Sequence, residues 1–150
     1  MLPGFTLGLN IDPINLCNLK CPFCVYTSQA ETGKKIEVQF FKELLAGLDN
    51  SVIPVSYINF VGAGEPLLHK QFSQLAQEAK RVVPDVRVTT NGTLLTKEMS
   101  ETLISSGINL FTISITGSTV DVYKKFQGSG KDDDGAQKQL ESVINNIRDL

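Results

Sequence analysis

The apolar positions of this chain follow two rhythms in turn. Short runs at 5–11, 55–61, 86–90 and 110–115 carry apolar and β-branched residues and end at Pro, Gly or Asn-Gly, which predicts strands. Between them the spacing is helical. Phe40, Phe41, Leu44, Leu45 and Leu48 share one face of a helix over 38–48. Phe72, Leu75, Ala76, Ala79, Val82 and Val83 share another, stopped by Pro84. Thr96 can cap a helix running to Ser106, with Gly107 as its stop. Ser118 and Asp121 have the spacing of a capping pair for a short helix through Phe126. Residues 128–135 are polar, charged and Gly-rich, and read as a surface loop. Leu140, Val143, Ile144, Ile147 and Leu150 form the stripe of a last helix.

The order is βα four times over. It predicts an α/β fold, a parallel sheet with helices outside, built as four βα units of an open, partial TIM-like barrel. A closed eight-unit barrel takes roughly 250 residues, or about 30 per unit. Four units therefore use most of the 150 residues. The expectation is half of a barrel, or a piece of a longer protein, with the edge of the fourth strand in need of cover.

Composition narrows the picture without redrawing it. A hydrophobic fraction of 41% suffices for one domain with a real core. Fourteen Lys and Arg stand against 16 Asp and Glu, so no basic field points to nucleic acid. No apolar run is long enough to cross a bilayer, and the first residues lack the build of a signal peptide. A soluble, cytoplasmic protein with no membrane partner is expected.

In parallel α/β folds, sites form where strands end at their C-terminal side. Each predicted strand is followed there by chemistry: Cys17-Asn18-Leu19-Lys20-Cys21-Pro22-Phe23-Cys24, then Gly62-Ala63-Gly64-Glu65-Pro66, then Thr89-Thr90-Asn91-Gly92, then Ser114-Ile115-Thr116-Gly117. The opposite rim carries ordinary turns such as Asp49-Asn50-Ser51 and Pro84-Asp85.

The three cysteines lie within eight residues and are odd in number, unlike a secreted disulfide framework. Thiolates are soft ligands that suit zinc, copper(I) or iron–sulfur clusters. Structural zinc wants four ligands, and the one histidine, His69, lies beyond another strand. A four-iron cluster is usually held by four cysteines, so three would leave one iron open. Three other readings stand beside that one. The thiols could be plain buried apolar groups, a zinc site completed by His69 or an outside ligand, or a simple electron-transfer cluster.

Cys-x-x-x-Cys-x-x-Cys with an aromatic before the last cysteine resembles the signature of the radical S-adenosylmethionine (SAM) superfamily. The resemblance implies a [4Fe–4S] cluster on Cys17, Cys21 and Cys24, with the SAM amino and carboxylate groups on the fourth iron. It implies Phe23 beside the adenine. Gly62-Ala63-Gly64-Glu65-Pro66 resembles the family's Gly-Gly-Glu-Pro motif, with Ala63 where many members carry glycine. That match assigns Gly62, Gly64 and Glu65 to the SAM pocket, with Glu65 open to bonding the loop instead of the ligand. Thr90 and Asn91 become contacts to SAM or substrate, although Asn91-Gly92 also reads as a bare turn. Ser114 resembles the strand-4 serine that bonds the SAM ribose; a hydroxyl filling a barrel interior is the other reading. His69 is expected to cap or pack, Lys20 to be solvated, and Tyr26 and Thr27 to line the pocket or anchor the loop.

The implied activity is of oxidoreductase type: reductive cleavage of SAM to a 5′-deoxyadenosyl radical that abstracts hydrogen from an unknown substrate. A flavodoxin or ferredoxin would supply the electron. The chain corresponds to the N-terminal part of such a core, strands 1–4 of a six-stranded partial barrel, with the remainder absent. The passage Ile113-Ser114-Ile115-Thr116-Gly117-Ser118, with Tyr123-Lys124-Lys125 and the Gly-rich loop after it, resembles members with a C-terminal SPASM-type domain. Those often modify peptides or proteins. A non-catalytic domain that kept the fold is the remaining alternative, and the stretch names no general acid or base.

Overall fold

The computed structural model describes residues 6–24, 26, 33–49, 53–128 and 130–150. Four strands, β1 (Leu7–Ile11), β2 (Val55–Phe60), β3 (Asp85–Thr90) and β4 (Leu110–Ile113), pair in parallel in the order β1-β2-β3-β4. Helices α1 (Val38–Asp49), α2 (Phe72–Val82) and α3 (Lys97–Ser105) connect them, and α4 (Val120–Phe126) and α5 (Asp133–Arg148) follow β4. A 3₁₀ turn, Pro66–Leu68, precedes α2. Strands laid down strictly side by side wind like a barrel, whereas a doubly wound sheet reverses its order part-way. The predicted α/β architecture of four βα units with helices outside is what the chain adopts.

Side chains alternate along a strand, so each strand offers one face to the helices. Ile58, Phe60, Val86 and Val88 turn that way and are fully buried. They meet Phe41 and Leu45 of α1, Phe72, Leu75, Ala76 and Ala79 of α2, and Leu103 of α3 in one cluster. The Phe60 ring lies 5.8 Å from Phe41 and 5.1 Å from Phe72. Burying each of the Val, Leu, Ile and Phe side chains among them stabilises the fold by about 1.5–3 kcal/mol. The other face is polar. Asn59 Nδ2 donates to Asn10 Oδ1 at 3.3 Å, and the Arg87 guanidinium pairs with Asp85 and lies 4.2 Å over the Tyr57 ring. Among the described residues no helix is long and apolar enough to cross a membrane.

Several boundaries differ from the sequence expectation. Phe5 and Thr27 lie outside the described residues. β4 ends at Ile113, not at 115, because the Gln127 side chain takes the Ser114 carbonyl and the Thr116 N–H off the sheet. The cap of α4 is Thr119, whose Oγ1 accepts from Val122 N, rather than Ser118. The expected loop over 128–135 is shorter, because Asp132 accepts from Gly135 N and starts α5 at Asp133. Acidic residues in a first turn also suit the positive end of the helix dipole. Two helix stripes are broader than what they cover: Phe40 and Leu44, and Ile144, Ile147 and Leu150, remain exposed.

Candidate functional site

The cysteine segment leaves β1 and returns through an antiparallel bridge between Ile14 and Lys35. Asn15 N donates to Lys34 O, and Ile36 N to Pro13 O, so the loop is closed at its base. Buried His69 adds a third tie: its Nδ1 accepts from Gln71 N at 3.1 Å, which leaves Nε2 to donate to Ile36 O at 2.9 Å. His69 packs and caps, as expected.

The glycine turn after β2 docks against the front of this loop. Glu65 N donates to Leu16 O at 2.8 Å, and Gly64 lies so close to Ile14 and Leu16 that only a residue without Cβ fits. Asp12, which precedes Pro13 just past the end of β1, accepts from Ala63 N through Oδ2 at 2.8 Å. Glu65 is only 2% exposed and turns away from solvent toward β3. Its Oε1 accepts from Thr90 Oγ1 at 2.6 Å and Leu67 N at 3.1 Å, and its Oε2 from Asn91 N at 2.8 Å. Burial pushes its carboxyl above the usual range, and these three donors oppose the rise. The carboxylate is therefore occupied with joining the β2 and β3 loops, the second of the two roles the sequence left open. Gly92 takes φ +77° in the turn that follows, a conformation that suits glycine.

Asn91 carries a second set of links. Its Oδ1 accepts from Thr93 N and Thr93 Oγ1, and its Nδ2 donates to Asn18 Oδ1 and to Cys17 Sγ. Asn18 Nδ2 donates in turn to Thr93 Oγ1. The sequence expectation of a SAM or substrate contact at Asn91 thus meets a side chain already engaged with the cysteine loop. Across the opening, Gln127 is 3% exposed and was not foreseen. Its Oε1 accepts from Thr116 N and Thr116 Oγ1, and its Nε2 donates to Ser114 O at 2.7 Å. Phe23 is 55% exposed and meets Phe126 edge-on, with ring centres 6.1 Å apart.

One cavity of about 320 Å³ unites these parts. Cys17, Cys21, Cys24, Phe23, Gly62, Gly64, Glu65, Thr90, Asn91 and Ser114, the residues that the resemblance assigns to the cluster and to SAM or substrate, line it. Thr116 and Gln127 complete the wall on the β4 side. Tyr26 is not among the lining residues, and Lys20 is exposed. The volume is at the lower end of small-molecule sites, about 300–1,000 Å³. All three thiols are partly accessible. Burial, then the charges of Cys17 and Cys24, push the Cys21 thiol above its ordinary value, so Cys21 senses the other two sulfurs. Among the described residues, no three His, Cys, Asp or Glu side chains converge as a single metal ion would require. A cubane takes one cysteine on each of three irons and asks for sulfurs spread around it instead. The Tyr123 hydroxyl, buried on α4 and influenced by Cys21, has no hydrogen-bond partner among the described residues.

The Radical SAM superfamily model matches residues 11–148. The chain belongs to the radical SAM superfamily. Membership implies a [4Fe–4S] cluster and SAM as cofactors. Mycofactocin maturase MftC of Mycolicibacterium smegmatis is 30% identical over 129 residues, covering 86% of this chain and 32% of the relative. A probable GTP 3′,8-cyclase of Methanocella arvoryzae is 35% identical over 113 residues, covering 72% of this chain and 34% of the relative. The radical SAM chain thus spans about a third of the length of these relatives. Among solved structures, anSMEcpe with bound AdoMet and Kp18Cys peptide matches with a TM-score of 0.71 at 22% identity, over 96% of this chain and 41% of that one. BtrN in complex with AdoMet and 2-DOIA matches with a TM-score of 0.59 at 23% identity, over 89% of this chain and 55% of that one. At such identities the likeness speaks for the fold alone: the sheet and its outer helices are those of a partial radical SAM barrel.

Proposed function

We propose that Cys17, Cys21 and Cys24 hold a [4Fe–4S] cluster whose open iron receives SAM within the cavity, and that the protein works as a radical SAM enzyme. One observation carries the reading: three thiols, a glycine turn and residues from the ends of all four strands share one cavity wall. When bound and reduced, the pair supplies a 5′-deoxyadenosyl radical, and the hard chemistry belongs to it. The chain's own part is placement. Phe23 offers an exposed aromatic face to a base, the Gly62–Gly64 backbone can approach an ammonium closely, and Ser114 lies where a ribose hydroxyl could bond. Electrons would come from a flavodoxin or ferredoxin.

The chain is read as strands 1–4 of a six-stranded core, with the rest of the barrel contributed by further sequence. The SPASM-like passage after β4 makes a peptide the favoured substrate class. MftC is a maturase by name, and the anSMEcpe structure holds a peptide beside AdoMet. The test is anaerobic reconstitution of the intact protein. It should take up iron and sulfide in equal amounts and, with dithionite and SAM, release 5′-deoxyadenosine and methionine. Cys21→Ala should abolish both. Zinc without sulfide, or a full cluster that never binds or cleaves SAM, would overturn the proposal.

A further inference from the structure

We propose that Asn91 is a positioning and tuning residue for the cluster, donating a hydrogen bond to the Cys17 sulfur and raising the cluster's reduction potential. The inference rests on the cluster reading above and goes beyond it.

The argument begins with the amide's orientation. Thr93 N–H can only donate, and it reaches Asn91 Oδ1 at 2.9 Å, with Thr93 Oγ1 at 2.6 Å on the same oxygen. That fixes which end of the amide is oxygen. The Nδ2 end must then face Asn18 Oδ1, at 2.9 Å, and Cys17 Sγ, at 4.0 Å. At 4.0 Å the contact to sulfur lies at the outer limit for an N–H···S hydrogen bond. Asn18 is held in its turn, because its own Nδ2 donates to Thr93 Oγ1 at 2.8 Å. The three side chains therefore close a ring, and the ring leaves one amide hydrogen aimed at the sulfur. Asn91 is 9% exposed, and its backbone N–H is anchored by Glu65. Water does not readily replace such a donor. Leu19 N–H approaches the same sulfur at 3.5 Å.

Reduction adds negative charge that spreads onto the cysteine sulfurs. A donor pointed at one of them stabilises the reduced state more than the oxidised one. Hydrogen bonds to sulfur and solvent exposure are the levers by which proteins set iron–sulfur potentials. Because Cys17 is only half-buried, a fixed donor supplies what fluctuating water would supply less evenly. The ring also explains why a small hydroxyl residue stands at 93: it bonds both amides at once.

The test compares the anaerobically reconstituted intact protein with Asn91→Ala and Thr93→Val. Iron and sulfide are counted, and the midpoint of the cluster is read by potentiometric titration followed by EPR, without SAM. Both variants should load like wild type. At the wild-type midpoint, the ratio of reduced to oxidised cluster in Asn91→Ala should fall about tenfold, a shift of about 59 mV to more negative potential. Thr93→Val should shift in the same direction by less, because Thr93 N–H still orients the amide. Wild-type midpoints in both loaded variants overturn the inference. If Asn91→Ala assembles no cluster, Thr93→Val decides alone. A wild-type protein that assembles no cluster removes the underlying reading, and that result is told apart by its iron count.

Discussion

Gly64 has no room for a side chain. A Cβ built there would lie 2.0 Å from Ile14 O, 2.6 Å from Leu16 O and 2.8 Å from Leu16 N, whereas ordinary contact begins near 3.4 Å. All three are backbone atoms, so no rotamer change relieves the overlap. The segment that carries them is tied down at Lys34 O, Pro13 O and Glu65 N. Gly64→Ala must therefore push the glycine turn and the cysteine loop apart by more than an ångström. Overpacking of this kind costs about 1–3 kcal/mol. Loss of the Glu65 N–Leu16 O bond adds about 0.5–1.5 kcal/mol. The expected total is about 1.5–4.5 kcal/mol, a large part of the roughly 5–15 kcal/mol that holds a domain folded.

Gly47 supplies the contrast. It lies within α1 with nothing within 4 Å of its virtual Cβ. Gly47→Ala should raise stability by about 0.5–1 kcal/mol, because alanine is the better helix former. The same chemical change should thus have opposite signs at the two positions. Urea unfolding of wild type and both variants, compared at equal slope, reads the difference. Cys17 directly follows Leu16, so Gly64→Ala should also take up less iron on anaerobic reconstitution. If Gly64→Ala stays within about 0.5 kcal/mol of wild type, as an indifferent surface change would, the docking account is wrong.

Two further outcomes follow from the buried side chains. Burial pushes the Glu65 carboxyl above its ordinary 4.5, so the folded chain holds that proton more tightly than the unfolded chain. The stability this supplies is complete below the unfolded value and is lost as pH rises through the folded one. Glu65→Gln does not titrate, and its urea midpoint should lack the decline that wild type shows just above pH 4.5; parallel curves across that window would refute the assignment. Gln127→Leu forfeits three hydrogen bonds to Ser114 and Thr116. It should cost about 1–3 kcal/mol. The Thr116 amide should then exchange with deuterium much faster than in wild type, and unchanged protection there would remove Gln127 as the anchor of the loop.

The strands and helices were legible where period and punctuation agreed. Pro84 stops α2 after Val82, and Thr96 caps α3 through Met99 N, both as read from local residues. What escaped was set by contacts distant in the chain. Ile115 continues the apolar run of β4, and nothing local announces that Gln127 will pull the next residues away. Asp12 beside Pro13 looks like a turn, and only the parallel pairing of β1 with β2 brings it to Ala63 N. The start of α5 was legible in principle. Asp132 stands three residues before Gly135 ahead of an acidic first turn, but the flanking glycines outweighed that signal.

The site divides its side chains into those already engaged and those left for a ligand. Glu65, Asn91 and Gln127 are the most polar groups on the cavity wall, and each bonds a neighbouring loop. Glu65 joins β2 to β3, Asn91 joins β3 to the cysteine loop, and Gln127 holds the end of β4. Phe23 and Ser114 remain exposed on the same wall, beside the backbone of the glycine turn. Such a division lowers the cost of binding, because these three side chains already hold their neighbouring loops in place. It also favours the loop-bonding role among the two left open for the acidic residue of the Gly-x-Gly-Glu-Pro motif. A carboxylate with three donors on its two oxygens has little left to offer an ammonium, so its contribution is to hold in place the glycine backbone that can meet one.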